Sequence, residues 1–281
     1  MPNPLRPPAS KPVGGKPGNP RLPSDRSPWR FFVLVVAVTV PFWVIGAVTG
    51  LQLLPGLPVA ALAAVCPGLA AVILAHRENR AAGARELLRR AFDYRRITAK
   101  VWYVPTLMLM PAVMALSFGV MRLLGTPVPA PQISIVQTLI LSVMFFVGAL
   151  GEELGWSGYA IDPMQDRWGA LWASIMLGLF WSVFHYVGLA QAYRSVEWVA
   201  WWSLGTVALR VVMVWIFNNT GKSVFAVALF HMTINLTWQL FPVNGSYYDP
   251  RISGLISVLM AVIVVVFWGP RTLTRPRQGS A

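Results

Sequence analysis

The chain has 281 residues, of which 56% are hydrophobic and only 12% charged, and its formal net charge is +13. Soluble domains carry about twice that share of charge, so a soluble enzyme or carrier is excluded and a multi-pass membrane protein is expected. The basic residues flank apolar stretches and do not gather on a folded face with aromatics, which follows the positive-inside rule and argues against a nucleic-acid binder.

Residues 1–28 are rich in Pro, Gly, Ser and basic side chains and form an expected disordered tail. No apolar stretch follows the first basic residues closely, so the first span is expected to act as an uncleaved anchor. A span needs roughly 20 apolar residues. Eight stretches qualify: 31–54, 57–76, 101–124, 133–155, 168–189, 196–218, 222–241 and 252–269. The predicted fold is therefore an all-α transmembrane bundle of about eight spans, a single domain over 29–270 with a short basic tail at 271–281. A Pro-Gly-Leu-Pro turn joins the first two spans into a hairpin. The one cysteine, Cys66, lies inside an apolar span, where it forms no intrachain disulfide and no cysteine metal site.

Between the second and third spans, residues 78–98 interleave Arg80, Arg85, Arg89, Arg90, Arg95 and Arg96 with Leu87, Leu88, Phe92 and Tyr94. Two readings fit: an amphipathic helix lying on an anionic leaflet, with membrane lipids as partners, or a solvated loop. Either way this loop is expected to be cytoplasmic. Eight spans then place both termini on the cytoplasmic side of a cell membrane, and the loops 125–132 and 242–250, free of Lys and Arg, outside.

The fourth span ends on Glu152 and Glu153, two of only ten acidic residues in the chain. A carboxylate at membrane depth costs several kcal/mol unless paired or hydrated. The other ionisable groups at that depth are His185 in the fifth span, Arg210 in the sixth and His231 in the seventh. Trp181 precedes His185 by four residues and Asn235 follows His231 by four, so each pair shares a helical face. Adjacent glutamates point about 100° apart, so one is expected to face the histidines and the other to need a different partner. Two chemistries suit Glu, His, His and Asn. A carboxylate can activate water while imidazoles and an amide position it, or two histidines and a carboxylate can hold a divalent metal that acidifies water. Both are hydrolytic.

Glu152-Glu153-Leu154-Gly155-Trp156-Ser157-Gly158-Tyr159 resembles the Glu-Glu-x-x-x-Arg motif of the CPBP intramembrane proteases, a family that includes the type II CAAX prenyl endopeptidases and bacteriocin-processing or immunity proteins. Trp181 to His185 resembles its Phe-x-x-x-His motif, and His231 to Asn235 its His-x-x-x-Asn motif. The motifs lie in order over residues 152–235. The resemblance implies an intramembrane endopeptidase acting on a membrane-proximal peptide or protein. In it Glu152 activates water, His185, His231 and Asn235 orient the water or stabilise the oxyanion, and Glu153 supports them. The cofactor is none, or a zinc ion on His185, His231 and Glu152. One departure stands out: the motif Arg is Ser157 here. Glu153 is then either protonated or reached by Arg210 from the sixth span. A catalytically weakened scaffold or immunity protein, and a proton-coupled transporter, are the alternatives. For His185 to sit level with Glu152, the chain must reverse near Trp168. Residues 156–167 are then expected to protrude as a helical extension beside a water-filled cavity open to the cytoplasm.

Overall fold

A computed structural model describes residues 26–54 and 56–275. Eight α-helices follow in order: α1 (Pro28–Thr49), α2 (Cys66–Arg89), α3 (Tyr103–Leu123), α4 (Ile135–Gly155), α5 (Ile161–Gln191), α6 (Val196–Asn219), α7 (Val224–Leu240) and α8 (Pro250–Trp268). Strand content among the described residues is one small antiparallel ribbon, β1 (Gln52–Leu54) with β2 (Leu57–Pro58), in the α1–α2 turn. The all-α bundle of eight passes is borne out. The predicted disordered tail lies, up to residue 25, outside the described residues, as do residues 276–281 of the basic C-terminal tail.

The second helix departs from its expected start. Residues Val59–Val65 form a 3₁₀ turn and α2 begins only at Cys66, with Pro67 in its first turn. Proline is tolerated there because its missing N–H has no helical partner to lose. α2 then runs beyond the expected end of the span, breaks at Asn79 and Arg80, and resumes through Arg89.

Outward-facing Val33, Ile140, Val143 and Val266 are exposed, as a lipid-facing surface requires. Of the helices long and apolar enough to cross a membrane, α6 is the most enclosed. It is also the one that carries Arg210. Seventeen residues of α7 span about 25 Å, a little short of the hydrocarbon thickness of roughly 30 Å.

Two local devices position the Glu pair. α4 lies directly on the start of α2: a Cβ added at Gly155 would sit 2.4 Å from the Pro67 carbonyl oxygen. Small residues at such crossings let membrane helices approach by backbone contact. After Gly155 the helix makes a π-helical turn, Trp156–Ala160, and continues into α5 as far as Gly169. There the backbone takes φ 74°, ψ 169°, which glycine adopts without steric cost. The freed N–H groups of Ala170 and Leu171 donate to the carbonyls of Arg271 and Pro270. The chain reverses at Gly169, next to the expected Trp168. Without that reversal the 29 residues from Glu152 to Trp181 would span about 43 Å as helix; instead their side chains touch.

The segment 156–167 does not protrude freely. Trp156 to Ile161, Pro163 and Met164 are buried, because the basic segment after α2 and the residues before α1 fold over them. The Arg26 guanidinium lies 4.3 Å from the Tyr159 ring centroid and pairs with Glu78, whose other oxygen accepts from the Tyr159 hydroxyl. Arg90, 5% exposed, donates to the Gly158 carbonyl at 2.6 Å and the Lys222 carbonyl at 2.9 Å. The helical extension is real; its exposure was misjudged, because a π turn leaves carbonyls to be satisfied and a nearby arginine supplies the donors. Arg26, Arg90, Lys222 and Arg271 mark one common end of the bundle, so both described termini lie on the same side.

Candidate active site

Glu153 is wholly buried and fully engaged. Arg210 grips it through two bonds, Nη1 to Oε2 at 3.0 Å and Nη2 to Oε1 at 3.2 Å. His231 Nδ1 lies 3.0 Å from Oε1, and the Ser157 hydroxyl donates to Oε2. Arg210 and Glu153 are both 0% exposed, so each charge depends on the other. The close packing of α4 against α7 puts His231 in reach, and α6 delivers the arginine from across the bundle. The cation absent at Ser157 is thus present at Arg210. Ser157 itself contributes a neutral hydrogen bond from the i+4 position.

Glu152 faces elsewhere, as the 100° rotation required. Its Oε2 accepts from two indoles, Trp156 Nε1 at 3.1 Å and Trp181 Nε1 at 2.8 Å. Oε1 accepts no hydrogen bond from the described residues.

Trp181 is the hub. The Arg210 guanidinium carbon stands 4.2 Å from its ring centroid. His185 and His231 meet the ring edge-on at 5.7 Å and 5.1 Å, so the indole that shares a helical face with His185 serves both imidazoles. His185 Nδ1 lies 2.8 Å from the Trp181 carbonyl oxygen. A carbonyl only accepts, so this nitrogen carries a proton, and in the neutral ring the lone pair is then on Nε2. His231 Nδ1–H is likewise spent on the Glu153 carboxylate, which leaves its Nε2 open. Asn235 lies one turn beyond His231 on α7, half-buried and without a hydrogen bond to the described residues. No contact ties it to Trp181; its place beside the site follows from the helical register alone.

Zinc needs three or four ligands within about 2.0–2.3 Å of one point. Among the described residues no three His, Cys, Asp or Glu side chains gather at ligand spacing. His185, His231 and Glu152 thus do not form a ligand-spaced group as they stand.

Trp156 and Arg90 were not singled out from the sequence. Trp156 stands four residues after Glu152, as Ser157 does after Glu153, and that spacing was the available signal. Arg90 had none, being one of several arginines in its segment.

Fold and site together define a multi-pass membrane protein with a buried cluster of Glu152, Glu153, Arg210 and His231. Residues 134–237, which contain all three motifs, match the family model described as type II CAAX prenyl endopeptidase Rce1-like. Over 265 residues the chain is 27% identical to "CAAX prenyl protease 2" of Methanococcus maripaludis, covering 85% of this chain and 93% of that protein. The resemblance drawn from the three motifs is borne out by both matches.

Proposed function

We propose that the chain is a membrane-embedded endopeptidase in which Glu152 is the general base. Glu152 Oε1 and an open imidazole Nε2 accept the two protons of a water molecule, which aims its oxygen at the scissile carbonyl. As the C–O bond forms, one proton passes to Glu152. The Asn235 amide donates to the oxyanion. Collapse breaks the C–N bond, and Glu152 returns the proton to the leaving amine, so the carboxylate is regenerated. Glu153 and Arg210 hold the His231 ring and take no part in proton transfer. The observation that carries this reading is the division of labour in the pair: every oxygen of Glu153 is occupied, whereas Glu152 keeps one free. Arg210 gives Glu153 the cation that the motif lacks here, which supports this reading over an inactive scaffold. The basic end is read as cytoplasmic.

The first substrate to assay is a prenylated peptide ending in a CAAX sequence, the class in the relative's printed name; unprenylated membrane-proximal peptides follow. General-base catalysis contributes about 10²–10⁴-fold, so Glu152→Gln should lose at least ~100-fold in kcat while its unfolding midpoint stays near that of the native chain. Cleavage should persist in a strong chelator. A Glu152→Gln variant that turns over normally removes the assignment of the base, and chelator-sensitive cleavage restored by zinc removes the metal-independent mechanism.

A further inference from the structure

The second half of α2 packs its inward face on the bundle and leaves its outward face without a task. Residues 81–92 form a helix and a closing 3₁₀ turn, and two faces can be separated. Gly83, Leu87, Arg90 and Ala91 are buried against the bundle. Ala81, Ala84, Arg85, Leu88, Arg89 and Phe92 fall at i, i+3, i+4, i+7, i+8 and i+11, a single outward stripe. With His76, at the end of the first half of α2, they line a groove of about 540 Å³.

Three features say what this groove takes. It is cationic: its lining holds Arg85 and Arg89 and no acidic residue, and neither arginine has an ion-pair partner among the described residues. It is also apolar where water would be expected, since Leu88 is 49% and Phe92 67% exposed on the same stripe as the charges. Finally, the break at Asn79 and Arg80 turns the chain so that Gly83 lies against the Ala75 carbonyl. The helix therefore sits against the end of the apolar half of α2, where the headgroups of a surrounding bilayer are expected. A solvated loop needs no exposed Leu and Phe, and a site for a soluble anion needs no apolar rim. Both are met by one class of ligand with a negative head and an apolar tail.

We propose that this groove is a binding site for an anionic phospholipid, with Arg85 and Arg89 on the headgroup phosphate, Leu88 and Phe92 against the upper acyl chains, and Ala81 and Ala84 leaving the room. The assignment is independent of the peptidase reaction.

The test is native mass spectrometry of the full chain, titrated with phosphatidylglycerol or phosphatidylcholine in neutral detergent micelles. Wild type should retain phosphatidylglycerol in preference to phosphatidylcholine. Arg85→Ala/Arg89→Ala should weaken that retention roughly 30-fold, from about fivefold for each cation near a membrane surface. Arg85→Lys/Arg89→Lys should keep most of it, and Arg95→Gln, exposed but off the stripe, should leave it unchanged. Circular dichroism of each variant checks that the bundle is intact. Equal retention of the two lipids by wild type, or phosphatidylglycerol retention unchanged in the double-alanine variant, overturns the proposal. Displacement by glycerol phosphate at the same concentration as lipid overturns it too, because the apolar rim then contributes nothing.

Discussion

The buried ion pair between Glu153 and Arg210 permits a quantitative test. Arg210→Met strands the carboxylate with only His231 and Ser157, and Glu153→Gln strands the guanidinium on the Trp181 face. Removing one partner of a buried pair costs about 3–5 kcal/mol. The second variant should sit at the lower end, because the cation–π contact at 4.2 Å still holds the guanidinium. The double variant Glu153→Gln/Arg210→Met leaves neither charge uncompensated. It should therefore cost less than the sum of the single changes by about 2–3 kcal/mol, the size expected for contacting residues. Unfolding in mixed micelles titrated with dodecyl sulfate, followed by tryptophan fluorescence, gives all four free energies. Costs that add within ~0.5 kcal/mol would show that the two charges do not depend on each other and would refute the account of Glu153 given above.

Ser157→Arg restores the residue of the family motif. In the native background it brings a second cation to an already saturated carboxylate at a site only 3% exposed, and it should destabilise by at least ~2 kcal/mol; combined with Arg210→Met it should regain stability over Arg210→Met alone, read as the unfolding midpoint in the same micelles. Trp181→Phe keeps an aromatic shelf for the histidines but deletes one of two donors to Glu152. Loss of a hydrogen bond to a charged group is worth about 1.5–3 kcal/mol, so kcat should fall about 10- to 100-fold with KM little changed, measured on whichever peptide the native chain cleaves.

Much of this arrangement was legible in the residues because membrane chemistry narrows the choices. Apolar runs of spanning length marked eight passes, and the 100° step between neighbours predicted that Glu152 and Glu153 would part company. Arg210 stood out as one of very few cations at depth. What stayed hidden has physical causes. Residues 59–65 are as apolar in a 3₁₀ turn as in an α-helix, so hydropathy alone does not mark the start of α2. The π turn at Trp156–Ala160 has no periodic signature. Which arginine of residues 78–98 turns inward depends on where the Gly158 carbonyl comes to lie, a tertiary fact that no local pattern encodes. For Trp156 the spacing of four from Glu152 was the one available clue, since an indole in an apolar run looks the same whether or not its N–H has an acceptor.

The position of Arg210 bears on how the bundle is put together. In the family motif the counter-charge follows one turn after the second glutamate, so the helix enters the membrane already neutralised. Here α4 is synthesised some fifty residues before its cation, the separation from Glu153 to Arg210 being 57. Until α6 arrives, Glu153 must be protonated, wetted or held at the membrane edge. The pair is therefore expected to tie the final depth of α4 to the arrival of α6: a nascent chain stopped after α5 should leave Glu153 within reach of a water-soluble carboxyl reagent that the finished bundle excludes.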